Sequence, residues 1–126
     1  MERDSVPLET RSMIASRLSA LRIRFLDVLE GRLAEVELLR DSLERDDRSE
    51  EARVECVRAI CFAAHKTLGV AATLGFADLG VLSQRVELAA TDYLDRREPP
   101  TTARMVIMLT DDMLGEMALI LARAGR

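Results

Sequence analysis

His65 is the only histidine in the chain of 126 residues, and Lys66, the only lysine, follows it directly. The other 17 basic side chains are arginines. A neutral imidazole is a nucleophile, so a single histidine suffices for nucleophilic chemistry. One histidine is too few for a metal centre built on several imidazoles, and no serine stands in a nucleophile-elbow motif. The composition therefore directs attention to one reactive side chain.

Two cysteines and a methionine-rich segment are the other groups that could hold a metal. Cys56 and Cys61 lie five residues apart, a spacing that points them in different directions on a helix and does not suit a disulfide. The methionines between 105 and 117 repeat at helical spacing, which is far more typical of core packing than of a soft-metal or haem site. We therefore expect free thiols, as in a reducing cytoplasm, and no metal or cofactor.

Gly69 lies four residues after His65 and therefore one turn further along the same helical face. The face also carries Arg58, Phe62, Ala72 and Phe76. Glycine in a helix interior is less favourable than alanine by about 1 kcal/mol. Its simplest benefit here is to remove side-chain bulk beside the imidazole, and Ala72 extends the cleared strip. A histidine buried in a bundle needs no such clearance, so the pattern favours an imidazole that a large partner approaches.

Five stretches have apolar residues at every third or fourth position, which indicates amphipathic helices, and no stretch predicts a strand. The predicted helices cover about 8–20, 23–45, 50–74, 79–97 and 103–121, and the first two can form one helix because no breaker separates them. The expected N-caps are Ser49, Asp78 and Thr101 or Thr102, and the expected stops are Gly75 and Pro99–Pro100. The first helix carries Met13, Ile14, Leu18 and Leu21 on one face. The inward face of the last is expected to be Met105, Met108, Leu109, Met113, Leu114, Met117 and Leu121.

The length and composition fit one domain that can bury a sufficient core without a disulfide or a metal. Apolar residues make up 48% of the chain and aromatic residues only 3%, which is typical of a helical protein built on aliphatic side chains. Short loops between amphipathic helices imply antiparallel neighbours. We therefore predict a single all-α domain over 1–126, an antiparallel up-down four-helix bundle with an additional N-terminal helix, and a monomer.

The charge pattern excludes several classes of partner. The formal net charge is −4, and acidic residues are interspersed with arginines along most of the chain, so nucleic acid is not expected. No apolar run approaches the roughly 18 residues that span a bilayer. The N-terminal residues, Met1 to Pro7, are charged and lack the apolar stretch of a signal peptide. We expect a cytoplasmic protein with no membrane partner.

The segment from Ala64 to Leu79 resembles the signature of histidine phosphotransfer (HPt) domains. That signature reads Ala-His, three residues, Gly, a run of small residues, an apolar residue with Gly, and Leu four positions later. Here Ala64-His65 is followed by Gly69, by Leu74-Gly75 and by Leu79 in the same order and spacing. Helix number and length extend the resemblance over most of the chain, with residues 50–74 as the phospho-acceptor helix.

The resemblance implies a phosphorelay intermediate. Such domains accept a phosphoryl group on histidine from an aspartyl phosphate or from a sensor or hybrid histidine kinase, and pass it to the aspartate of a response-regulator receiver domain. By this resemblance His65 is the phospho-acceptor and Gly69 gives clearance, while Glu87 orients the ring. Lys66 and Arg58 are the expected supporting cations, and the receiver would dock on Phe62, Leu68, Ala72 and Phe76. Phosphoryl transfer needs mainly positioning and charge stabilisation, and the receiver brings the Mg²⁺, so this chain needs no cofactor.

The sequence departs from the family in one respect. The family commonly has a cation three residues after the histidine, where this chain has Leu68, and the nearest cation is Lys66. The departure motivates an alternative, a non-catalytic helical adaptor that binds receiver domains or another partner without transfer. A third interpretation, a segment of a sensor kinase, is weaker because no stretch resembles an ATP-binding segment and because Lys66, rather than an acidic residue, follows the histidine.

Overall fold

A computed structural model describes residues 6–45 and 47–126 of the chain. Within these residues the chain forms four α-helices and no strand. The helices are α1 (Leu8–Glu44), α2 (Glu50–Ala71), α3 (Ala77–Asp95) and α4 (Ala103–Arg123). Two parts of the chain lie outside the described residues. They are residues 1–5, which belong to the charged N-terminus, and Asp46, which belongs to the loop after the second predicted helix. The predicted all-α class is confirmed.

The helices form an up-down bundle in which α1 packs against α2 and α4, and α3 packs against the same two helices. Two polar contacts fix the antiparallel arrangement of α1 and α4. The Arg40 guanidinium donates to both carboxylate oxygens of Asp111, at 2.7 and 3.1 Å. At the other end of the pair, the Arg126 guanidinium donates to Asp27 and Glu30. The predicted antiparallel four-helix bundle is therefore confirmed.

The core consists of aliphatic side chains that all four helices contribute. Each such side chain adds roughly 1.5–3 kcal/mol when it is fully buried. The largest apolar side chains without measurable exposure are Leu29, Val36, Val57, Ile60, Leu79, Val86, Val106, Met113 and Met117. A single aromatic pair closes one end of the bundle, where the rings of Phe25 and Phe76 stack with their centroids 5.4 Å apart.

The helix ends mostly follow the local signals. The side chains of Ser49 and Thr102 each accept a hydrogen bond from the backbone N–H three residues later, at 3.2 Å, as expected for N-caps. Gly75 has a φ of +92°, a conformation that favours glycine, and it lies in the turn between α2 and α3 as predicted. The prediction for Asp78 was wrong, because α3 begins at Ala77 and Asp78 lies in the first turn. A carboxylate there still faces the favourable end of the helix dipole.

The first helix is much longer than the others. It has 37 residues, against 19 to 22 for α2, α3 and α4, and it is therefore about 55 Å long. The additional N-terminal helix is not confirmed as a separate element, because α1 continues through the breaker-free residues 20–24. Every residue from 8 to 24 is exposed, and we call this segment the arm.

Two apolar faces differ from the pattern in the sequence. In the arm, Met13, Ile14, Leu18 and Leu21 are exposed, and Arg22, near the end of the arm, donates to the Leu74 carbonyl at 2.8 Å. In α4, Met113, Leu114, Met117 and Leu121 are buried as predicted. Met105 and Met108 are instead 48% and 60% exposed, whereas Val106, Ile107 and Thr110 are buried. Because α4 is apolar around much of its circumference, periodicity alone does not decide which stripe faces α1 and α3.

Helices α2 and α3 approach each other closely near the turn that joins them. Gly80 of α3 is fully enclosed, and a Cβ there would lie 3.5 Å from the Cβ of Ala72. Two small residues therefore let the two backbones approach. The approach brings the middle of α3 alongside the C-terminal half of α2, where His65 lies.

Candidate functional site

His65 lies in the C-terminal half of α2, six residues before its end, with its ring directed outward. Its neighbour Ala64 is fully buried, as is Thr67, so the core face of α2 lies on the side away from the imidazole. The side chain of His65 is 68% exposed to solvent. The packing of α2 therefore presents this ring to the surroundings, which is the arrangement that an external reaction partner requires.

Glu87 of α3 holds one nitrogen of the ring. Its Oε2 atom lies 2.7 Å from Nδ1 of His65, and the Glu87 side chain is 27% exposed. The buried neighbour Val86 anchors α3 at this position against the core. An ionised carboxylate can only accept, so the neutral ring carries its proton on Nδ1 and keeps the lone pair on Nε2. The carboxylate thereby fixes both the tautomer and the orientation of the imidazole.

A cleft of about 340 Å³ lies beside the ring, between α2 and α3. Arg58 borders the cleft, and its side chain is 60% exposed. Its Nε atom lies 4.0 Å from Oε1 of Glu55. Cys61 lies deeper in the cleft, where its Sγ atom is 3.7 Å from the hydroxyl oxygen of Thr91. Both Cys61 and Cys56 are free thiols, as expected. The cleft thus combines a nucleophilic nitrogen, a carboxylate and a guanidinium.

Lys66 turns toward the preceding turn of α2. Its Nζ atom lies 4.5 Å from the centre of the Phe62 ring, which is within the range of a cation–π contact. Phe62 is itself 62% exposed, so the pair stands on the surface beside the imidazole. Leu68, three residues after the histidine, is half-buried. The cations next to His65 on α2 are therefore Lys66 and Arg58.

Gly69 leaves open space one turn beyond His65. A Cβ built on Gly69 would meet no heavy atom within 4 Å outside the nearby helix backbone. No contact inside the described structure requires glycine at this position. The clearance predicted from the sequence is therefore exposed, at the border of a groove between α1 and α2.

The predicted docking residues separate into two groups. Phe62 and Ala72 are exposed on the same side of α2 as the imidazole, and Leu68 is half-buried beside them. Phe76 lies beyond the end of α2, and its half-buried ring stacks on Phe25. The assignment of Phe76 to the docking surface is therefore corrected, since its ring serves the packing at the bundle end.

A second groove, of about 600 Å³, lies between α1 and α2 and was not expected from the sequence. Its walls are apolar, with Phe25 and Val28 on α1 and Val70 on α2, and its borders carry Arg24, Arg32, Lys66 and Gly69. Arg32 donates from Nη1 to the Thr67 hydroxyl at 3.0 Å, and burial lowers the pKa of its guanidinium. The available signal was Arg32 itself, which interrupts the apolar repeat of α1 between Leu29 and Val36.

Across the described residues, no three His, Cys, Asp or Glu side chains come together in a way that could hold a metal ion. No helix in residues 6–45 or 47–126 is long and apolar enough to cross a membrane. Comparison with protein families, with curated proteins and with solved structures finds no match to this chain. The functional argument therefore depends on the geometry of the site.

Proposed function

We propose that this protein is a histidine phosphotransfer protein that carries a phosphoryl group on His65 between receiver-domain aspartates, or from a histidine kinase to a receiver. The observation that carries the proposal is the arrangement of one exposed imidazole. Its Nδ1 atom is engaged by Glu87 at 2.7 Å, its Nε2 atom keeps the lone pair, and the adjacent position of Gly69 is open.

The transfer step follows from this arrangement. The Nε2 lone pair attacks the phosphorus of an aspartyl phosphate, an N–P bond forms, and the P–O bond breaks to release the aspartate carboxylate. Nε2 carries no proton beforehand, so the step requires no base. The ring becomes cationic as the bond forms, and its Nδ1–H donates to the Glu87 carboxylate, which stabilises that charge. The reverse reaction returns the phosphoryl group to a receiver.

The charge of the phosphoryl group also needs stabilisation. The cations nearest to the imidazole along α2 are Lys66 and Arg58. Lys66 lies over the Phe62 ring, and Arg58 lies at the border of the cleft. We assign to them the support that the family's usual cation gives. The Mg²⁺ of the reaction belongs to the receiver domain, and the protein acts in the cytoplasm, where its two free thiols stay reduced.

The receiver docks around the imidazole on a small surface of α2. Phe62 and Ala72 supply exposed apolar area, half-buried Leu68 lies beside them, and Arg58 supplies charge at the edge. A transient signalling contact of this kind buries little area, so a small surface suffices. Gly69 lets the receiver's backbone approach the ring without a side chain between them.

The direct test is transfer from phosphorylated receiver domains in the presence of Mg²⁺. We expect acid-labile, alkali-stable phosphate on the wild-type chain and none on His65→Gln, whose helical circular-dichroism signal should be unchanged because the ring is largely exposed. Arg85→Gln is the matched control, an exposed change on α3 outside the cleft, and should be labelled as the wild type is. Absence of label on the wild type with a broad panel of receivers would remove the proposal.

The second candidate function is a non-catalytic adaptor that binds receivers without transfer. The observation in its favour is Leu68, an apolar residue where phosphate stabilisation would place a cation. The two functions differ in one outcome. The adaptor retains both receiver binding and biological output in His65→Gln, whereas the phosphotransfer protein retains binding and loses output.

A further inference from the structure

The arm of α1 carries an apolar stripe that nothing in the described structure covers. Ile14, Leu18 and Leu21 are 51%, 36% and 47% exposed, and Val28, further along the stripe, is 50% exposed. The arm extends about 25 Å beyond the start of the packed part of α1 at Phe25. Exposed apolar residues in a continuous row on one helix mark a contact surface rather than scattered surface residues.

The spacing of the stripe is that of a coiled-coil seam. From Ile14 the apolar positions advance by four, three, four and three residues, through Phe25 to Val28. At about 100° per residue these positions span only about 80° of the helix circumference. Such a stripe is narrower than the apolar face of at least about 100° that is typical of helices lying on a broad surface. The seam therefore fits one partner helix.

The seam leads into the groove between α1 and α2, where Phe25 is only 5% exposed because its ring stacks on Phe76. Leu21, Phe25 and Val28 belong to both, and Val70 forms the facing wall on α2. From Ile14 to Arg32 the surface is about 27 Å long, which corresponds to about 18 residues of a partner helix. A helix that begins on the arm would therefore end in the groove beside Gly69 and Lys66.

The positions that border the seam are basic. Arg17 and Arg24 lie on one side of it and Arg22 on the other, and among the described residues no carboxylate pairs with Arg17 or Arg24. The arm contains four arginines and one glutamate, a formal charge of +3 in a chain of −4. Arg32 and Lys66 continue the basic border along the groove.

The charges argue against a second copy of the chain as the occupant. In a two-stranded pair, border positions of one helix face border positions of the other in both the parallel and the antiparallel arrangement. From Ile14 to Phe25 the borders hold arginines and an alanine but no acidic residue, so two arms would place like charges opposite each other. An acidic border on the partner would instead form ion pairs with Arg17 and Arg24.

We propose that the arm and the adjoining groove form a docking site for an amphipathic α-helix of a partner protein, with aliphatic residues along one stripe and Asp or Glu along its borders. The arm lies away from the imidazole, and only the groove end of the site borders Lys66 and Gly69, so a helix held mainly by the arm takes no part in the transfer step. It would tether a signalling partner to α1 while leaving the ring of His65 accessible.

The test uses the full chain and a labelled synthetic helix of three heptads that has Leu at the seam positions and Glu at the border positions. A second peptide with Lys in place of Glu is the probe for charge. We expect the acidic peptide to bind at least tenfold more tightly in fluorescence anisotropy, and more weakly at high salt. The double variant Arg17→Glu/Arg24→Glu should reverse the preference between the two peptides.

Two further variants separate the seam from the rest of the molecule. Leu18→Asp should abolish binding of the acidic peptide, whereas Ile23→Asp, a matched exposed change on the opposite side of the arm, should not. His65→Gln should bind as the wild type does, so a failure of phosphotransfer leaves this result intact. Equal binding of both peptides, or binding that Leu18→Asp does not weaken, would overturn the proposal. Wild-type dimers that Leu18→Asp dissociates, or binding to phosphatidylglycerol vesicles but to neither peptide, would overturn it in favour of those occupants.

Discussion

Replacing Gly69 by larger residues should make the protein more stable and, at the same time, a poorer phosphotransfer partner. Glycine is less favourable than alanine in a helix interior by about 1 kcal/mol, and a Cβ at Gly69 meets no other atom within 4 Å. Gly69→Ala should therefore raise the free energy of unfolding by about 1 kcal/mol. For a domain of this length that is a rise in Tm of roughly 3–5 °C.

The functional effect should have the opposite sign because the open space faces the approaching receiver. We expect Gly69→Leu to lower the rate of transfer to or from a receiver domain by tenfold or more, while the helical signal is retained. Gly115 of α4 supplies a matched control, since it is also an exposed helical glycine with no atom within 4 Å of its absent Cβ. Gly115→Ala and Gly115→Leu should change stability in the same way as the Gly69 variants and leave transfer unchanged.

The assays are thermal unfolding followed by circular dichroism and single-turnover transfer from a phosphorylated receiver. One result would contradict the open space at Gly69, and another would contradict its use by the receiver. Destabilisation by Gly69→Ala would mean that the space beside the imidazole is not open. Wild-type transfer by Gly69→Leu would mean that the space is open but unused by the partner.

Three further substitutions test the site, the core and a helix end. Glu87→Gln keeps an acceptor for the ring of His65 but removes the negative charge that stabilises the cationic phosphorylated ring. Loss of about 1–2 kcal/mol of that stabilisation should make transfer about 5- to 30-fold slower, whereas Asp112→Asn on α4 should have no effect. Leu29→Ala, at a fully buried position, should lower the free energy of unfolding by about 2–5 kcal/mol in urea titration, and Leu38→Ala, at a 73% exposed position, by less than about 0.5 kcal/mol. Thr102→Ala should lower it by about 1 kcal/mol through loss of the α4 N-cap, and an unchanged unfolding midpoint would contradict that role.

The local signals of the sequence predicted the features that depend on a few neighbouring residues. Ser49 and Thr102 cap helices because a hydroxyl there reaches a free backbone N–H. Gly75 ends the third predicted helix because the turn needs a positive φ. The contact between His65 and Glu87 was expected from the resemblance alone, since it joins two helices whose relative rotation no local pattern reveals.

The errors concern the choice of face. The exposed stripe with Ile14 and Leu18 has the same helical period as the buried stripe that follows it on α1. Periodicity therefore identifies an apolar stripe but does not show whether the stripe packs inside the bundle or against an external partner. In α4 the apolar residues surround much of the helix, and the packing against α1 and α3 selects Val106 over Met105. Phe76 was placed on the surface because helical spacing was extended past Ala71, where α2 ends.

The central claim is that Nε2 of His65 accepts the phosphoryl group. The most direct measurement is NMR of the phosphorylated, ¹⁵N-histidine-labelled protein, in which the ring nitrogen bonded to phosphorus is identified by its coupling to ³¹P. Because the chain has one histidine, the spectrum reports on that ring alone. We expect phosphorus on Nε2, with Nδ1 still protonated beside Glu87. Phosphorus on Nδ1, or a protein that takes up no phosphate on this ring from any receiver domain, would contradict it.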